Sequence, residues 1–152
     1  MIDLLAPSVS HRFLATFSFN GIPSPVDVFF QRVSGLSREL STTPIREGGD
    51  NVGVIHLPEK VEHGQVSFER AVMTITPLTL AFDQVMTDFD ARHLSVVIML
   101  LNHLSLPVCS WTLIDALPVR WRTGDLDANS NAILINELGL SYREMHWMGV
   151  KA

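Results

Sequence analysis

The sequence predicts a mainly β chain: a two-sheet antiparallel β-sandwich or barrel with one flanking α-helix and an extended hairpin loop. Three observations lead there. Apolar and polar residues alternate in several short runs, the period-2 signature of strands with one buried face. Clusters of Gly, Pro, Asn and Asp separate those runs as turns do. Helical spacing with a start signal occurs once, after Thr76. A chain of 152 residues, 47% hydrophobic and 18% charged, can bury the core such a fold needs.

The elements follow in order. Residues 1–10 have no period and contain Pro7, so they read as an N-terminal arm before a single β domain over residues 11–152. In residues 11–19, Phe13, Ala15, Phe17 and Phe19 alternate with Arg12, Leu14, Thr16 and Ser18, which predicts a half-buried strand. Residues 20–25, NGIPSP, predict a turn, and residues 26–33 and 36–43 two strands separated at Ser34-Gly35. The stretch 44–64 is rich in glycine and charge around a short apolar run, 52–57, and reads as a long mobile hairpin. Residues 65–73 alternate again, with Val66, Phe68, Arg70 and Val72 on one face; Arg70 there implies that this face is not all core.

Thr76-Pro77 is a helix start, since a Thr side chain caps free amides and Pro at the first helical position loses no useful donor. Leu78, Ala81, Phe82, Val85 and Phe89 give the helix, 77–89, its apolar stripe. Residues 94–101, β-branched and aliphatic, predict a central strand buried on both faces. Strands at 106–115 and 117–123, a loop at 124–131 and a long strand at 132–147 complete the chain. About eight strands and one helix give the sandwich or barrel.

A net charge of −5 and a pI near 5.6 argue against a surface that grips DNA or an anionic membrane. No run approaches the roughly 20 apolar residues of a bilayer-spanning helix, the N-terminus lacks the pattern of a secretory signal, and no membrane anchor is expected. Cys109 is the only cysteine, which excludes an internal disulfide. His11, His56, His63, His93, His103 and His146 match no zinc spacing, so neither metal nor cofactor is expected. Glu62-His63 beside Lys60 reads as a solvated group rather than an acid/base pair. Asp125, Asp127 and Asn129 open like a calcium loop, but Ser130 and Asn136 stand where the glycine and bidentate glutamate belong. Their short side chains instead suit a turn or a contact with another chain. No nucleophile elbow, phosphate loop or dinucleotide fingerprint occurs, and Trp111, Trp121 and Trp147 read as core or interface residues. Residue chemistry alone therefore gives a β-rich non-enzyme.

Seven strings go further: HRF (11–13), VSGLSREL (33–40), REGGDN (46–51), LPEKVEHG (57–64), ERAVM (69–73), ALPVRW (116–121) and DANSN (127–131). Their ordered series resembles the tail-tube family of contractile phage tails and related contractile injection systems. The resemblance implies hexameric rings that stack into a hollow inner tube, with no enzymatic activity. Partners implied with it are the contractile sheath, baseplate or tube-initiator proteins and the tape-measure protein, with DNA or protein cargo passing through the lumen without specific binding. The implied location is the virion tail or injection particle, assembled in the bacterial host cytoplasm. Two further readings stay open: a tube-initiating or tube-terminating ring of one layer and, in another class, a small β-barrel that binds a ligand or acts as an enzyme.

Poorly guarded strand edges make assembly sensible, because a monomer shields its edges with charge, especially lysine, and only Lys60 and Lys151 are present. By the same analogy the hairpin is a ring-stacking loop, carried by Arg46, Glu47, Asp50, Asn51, Val54, Glu59, Lys60 and Glu62. The segment with Asp125, Asp127, Asn129 and Asn131 becomes a loop at the subunit junction.

Overall fold

A computed structural model of the chain describes residues 12–24, 30–71, 75–89 and 93–149. The predicted N-terminal arm, residues 26–29 of the second predicted strand and residues 72–73 of a later one lie outside the described residues. The strands are β1 (Phe13–Phe19), β2 (Ile22–Ser24), β3 (Arg32–Ser34), β4 (Arg38–Ile45), β5 (Ile55–His63), β6 (Val66–Arg70), β7 (Leu94–Leu101), β8 (Pro107–Thr123), β9 (Asn136–Ser141) and β10 (Glu144–Gly149). One helix, α1 (Pro77–Asp88), lies between β6 and β7. Ladder order is β2-β1-β7-β8-β9-β6-β3, with β10 also on β8, while β4 and β5 form a separate two-stranded ribbon. Every pairing among the described residues is antiparallel.

The long sheet folds back on itself. Three strands separate β1 from β6 in the ladder, yet the Phe17 and Phe68 rings lie 5.1 Å apart, and Phe30 sits 5.4 and 5.3 Å from them. The hinge is β8, whose first half pairs with β7 and β10 and whose second half pairs with β9. Asp115 there takes a left-handed φ of 52°, and the register slips between Pro118 and Arg120, so the strand turns a corner without ending. One layer is thus β2-β1-β7-β8-β10 and the other β8-β9-β6-β3. Leu78 and Phe82 of α1 join the core between them, fully buried with Phe17, Phe68, Val96, Leu113 and Leu140.

The helix starts where the sequence placed it. Thr76 Oγ1 accepts from the Thr79 amide at 3.4 Å, and Thr79 Oγ1 accepts from the Thr76 amide at 2.8 Å, a reciprocal cap ahead of Pro77. It ends at Phe89, whose φ of 55° leaves the side chain 89% exposed rather than on the predicted apolar stripe.

Several expectations are corrected. Asn20 and Gly21, with φ of 51° and 83°, make a two-residue hairpin, so Ile22–Ser24 is a strand rather than the rest of a turn. In the predicted strand 26–33, only Arg32 and Val33 are extended among the described residues; the strand predicted over 36–43 begins at Arg38 and runs on to Ile45. Arg70 is core after all: it is 7% exposed, its guanidinium lies 5.8 Å from the Phe30 ring centre, and Nη2 donates to Thr76 Oγ1 at 3.5 Å. β7 buries one face only, through Leu94, Val96 and Ile98, while Ser95 is exposed and Val97 and Met99 are half-buried. The two strands expected at 106–123 are the single β8, and the one expected at 132–147 is two, broken at Tyr142-Arg143. Among the described residues no helix is long and apolar enough to cross a membrane.

Candidate assembly surfaces

The hairpin expected at 44–64 is the outer part of the β4–β5 ribbon, with its tip at residues 46–54. Arg46, Glu47, Asp50, Asn51, Val54, Glu59, Lys60 and Glu62 all lie on it and are all exposed. They do different things. Asp50 Oδ1 accepts from the Val52 and Gly53 amides at 3.1 and 2.9 Å, closing the tip turn. Those amide bonds, Gly53 first, hold its carboxyl below the ordinary value of 3.8. Glu59 accepts from the Thr43 hydroxyl. Asp50 and Glu59 are thus engaged within the ribbon, whereas no hydrogen bond or ion pair among the described residues engages the side chains of Arg46, Glu47, Lys60 and Glu62.

Glu59 is also the extra residue of a bulge: Ser41 pairs with Lys60 and Thr42 with Pro58. On β5 alone, Ile55, Leu57 and Val61 share odd positions and would share a face. The bulge separates them. Leu40 lies opposite Val61 on one face near the base, while Ile45 and Thr43 lie opposite Ile55 and Leu57 on the other face near the tip. These aliphatic residues are 41–55% exposed, and Val52 at the tip is 99% exposed. Such a surface on so slender an element calls for partners.

The loop with Asp125, Asp127, Asn129 and Asn131 is exposed and turned by its own side chains. Asp127 Oδ1 accepts from the Asn129 amide at 2.9 Å, Ser130 Oγ accepts from Ala132 at 3.1 Å, and Gly124 donates to the Ile135 carbonyl at 2.8 Å. Leu126 within it and Ile133 just after it are 84% and 71% exposed. No hydrogen bond or ion pair among the described residues joins this loop to the ribbon.

Sequence reading expected poorly guarded strand edges without placing them on particular strands. Among the described residues β10 pairs only with β8, and β2 covers only Phe17–Phe19 of β1, so the outer edge of β10 and the Phe13–Thr16 stretch of β1 lie open at opposite sides of one layer. The strands between them alternate in direction, so β10 runs antiparallel to β1. The face of this layer turned away from the core carries Thr16, Ser95, Val97, Ser110 and Thr112 and no charge on β1, β7 or the first half of β8 up to Ile114; Glu144 on β10 brings a carboxylate to it, with His146 two residues on.

Chemistry is sparse elsewhere. Among the described residues no three His, Cys, Asp or Glu side chains gather as a metal site. Partial burial raises the Cys109 thiol, with a hydrogen bond to Trp147 pulling the other way. Arg120–Glu137 at 3.3 Å and Arg143–Asp115 at 3.5 Å are exposed pairs of small energetic weight.

Comparison with known proteins identifies the family and the fold. The profile of the family described as T4-like virus tail tube protein gp19 matches residues 9–146. A chain in the six-fold symmetrised structure of the anti-feeding prophage (AFP) baseplate is 57% identical over 96% of this chain and 98% of its own, with a TM-score of 0.89. A chain in the sheath–tube complex of an extracellular contractile injection system, PVC, in its extended state is 22% identical over 96% and 94%, with a TM-score of 0.78. One in the tube-terminating cap of the AFP is 19% identical over 95% and 92%, also at 0.78. No curated protein matches.

Proposed function

The chain belongs to the T4-like tail tube protein family, and from that premise we propose that it forms a hexameric ring in the inner tube of a contractile injection particle, at the baseplate end. The observation that carries the ring is the pair of open edges on one layer: β10 of one copy, set beside β1 of the next, makes an antiparallel pair. A head-to-tail contact of that kind closes when its rotation divides the circle. Six copies would join their layers into one continuous barrel and cover the open stretches of β1 and β10.

The baseplate end is favoured by the contrast in identity, 57% to a chain in a baseplate structure against 22% and 19% to chains in structures of a sheath–tube complex and a tube cap. The partners are then the baseplate below, the next tube layer above and the sheath around it, with a tape-measure protein inside during assembly. The particle is assembled in the host cytoplasm. The hydroxyl-bearing face with Thr16, Ser95 and Thr112, free of charge on β1, β7 and the first half of β8, lines the lumen, where it lets DNA or protein cargo pass without holding it. Asp125, Asp127, Asn129 and Asn131 lie near the joint between copies.

Electron microscopy and native mass of the purified chain test this. Single rings of six that seed tubes of a related subunit are the expected result. Long tubes of this chain alone would favour a repeated tube subunit instead, and a monomer at all concentrations would overturn the ring.

A further inference from the structure

We infer that one end of the lumen carries an apolar girdle, built by Leu14, Met99 and Met148, that grips the apolar side chains of an extended polypeptide inside the ring. This rests on the ring proposed above and goes beyond it, since the hydroxyl-bearing part of the same face lets cargo pass without holding it.

Strand register sorts the lumen face into rows. Leu14 pairs with Met99, Met99 with Ser110 and Ser110 with Met148, so the four side chains stand abreast across β1, β7, β8 and β10. Thr16, Val97, Thr112 and His146 make the next row by the same register. Beyond it, Ser18 pairs with Ser95 and Ile114 with Glu144. Thioethers thus gather at one end of the face, and hydroxyls with a carboxylate at the other. Met148 is 70% exposed, while Leu14 and Met99 are half-buried. Ser110 between the two methionines is too short to cover them. In the proposed ring β10 of one copy stands beside β1 of the next, which carries the apolar row on from copy to copy.

Charge selects the occupant. The backbones of β7 and of this part of β8 are paired on both sides by neighbouring strands, so only side chains can hold a guest there. No cation stands on the face along β1, β7 or the first half of β8, and Arg12, just before β1, donates Nη1 to the His103 carbonyl at 3.0 Å. On β10, His146 lies 3.5 Å from Glu144. Phosphates find no arginine or lysine on these strands to neutralise them, and Glu144 repels them. Apolar side chains of a polypeptide suit the girdle, because methionine adapts its flexible, polarisable arm to partners of differing shape.

The test uses assembled rings and three fluorescent probes of matched length: a Gly/Ser peptide with regularly spaced leucines, the same peptide without leucine, and a single-stranded DNA. By anisotropy the leucine peptide alone should bind. Met148→Ser should weaken that binding about tenfold or more, Met148→Leu should keep it, and both variants should keep wild-type ring mass. The bound peptide should slow peroxide oxidation of Met148 and leave that of Met86, 42% exposed on α1, unchanged. If wild type makes no ring, the ring reading itself fails and this inference with it. If rings form but the leucine peptide binds no better than its leucine-free form, if Met148→Ser binds it as wild type does, or if the DNA binds in its place, this inference alone is overturned.

Discussion

Aspartate at Ile55 should unstack rings without opening them. Ile55 is 49% exposed in the free chain, so the change should alter folding stability by no more than about 0.5 kcal/mol. Docked against the next layer, the exposed half of the side chain would be buried, worth about 1 kcal/mol on a scale of roughly 1.5–3 kcal/mol for a whole aliphatic side chain. Six tips act together in the proposed ring. The loss is then about 6 kcal/mol per layer contact, a factor of about 10⁴ in the stacking constant, before the cost of desolvating a carboxylate is added.

Salt should do less. Asp50 and Glu59 are engaged within the ribbon, which leaves Arg46, Glu47, Lys60 and Glu62 to meet the next layer. Exposed pairs contribute about 0–1 kcal/mol each, and screening at 1 M, where the Debye length is roughly 3 Å, removes only that. The assay counts stacked rings of the pure chain by negative stain or, where it stops at one ring, the capture of the next tube layer. Val54→Asp should behave as Ile55→Asp does. Normal stacking by both variants, or dissolution of wild-type stacks by salt alone, would refute the apolar contact at the tip.

Three further outcomes follow from the body and the tip. Phe82→Ala should destabilise the fold by about 3–5 kcal/mol in a urea titration, because the ring is fully buried between the layers and leaves a cavity. Gly35→Ala should destabilise by more than about 2 kcal/mol: φ is +86°, and a Cβ would lie 2.0 Å from the Gln65 carbonyl oxygen, a backbone atom that cannot swing away. The tip turn should loosen in acid. Asp50 titrates below its unfolded value, so the support it gives Val52 and Gly53 is complete above 3.8 and is lost as pH falls through the lower folded value. Amide exchange at Val52 and Gly53 measures this, and Asp50→Asn should abolish the pH dependence.

Local signals made parts of the fold legible. Thr76-Pro77 marks a helix start by bonds within one turn, and residues 94–101 were bounded by polar residues on both sides, so both elements stand where expected. Failures occurred where a local stop signal is overridden at a distance. Asp115 looks like the end of one strand and Leu117-Pro118 like the start of the next, but β7 and β10 hold one side of the corner and β9 the other, so β8 runs through. Arg70 fell on the apolar face by period, as it does in the structure; its companions Phe30 and Thr76 come from other segments. At the candidate surfaces, sequence found the hairpin and its charges. It had no means to see that Glu59 is a bulge, since a bulge exists only relative to the partner strand.

The ribbon also ties folding to assembly. A two-stranded sheet is marginally stable in water, and β4–β5 touches the body chiefly at its base, through His63, Tyr142, Ser37 and Gly64. Along its length Glu39 lies directly opposite Glu62, a like-charged pair that opposes the pairing, and the aliphatic residues of both faces meet solvent. The core between the layers needs none of this, because its Phe, Leu and Val side chains are already closed off from water. The free chain is therefore a finished sandwich carrying an unfinished ribbon. Whatever covers Leu40 and Val61 at the base and Ile55 and Leu57 toward the tip supplies the stability the ribbon lacks alone, so assembly should order it. A binding free energy partly spent on ordering is smaller than the buried area implies, and that favours joints that form in sequence rather than premature aggregation of free chains.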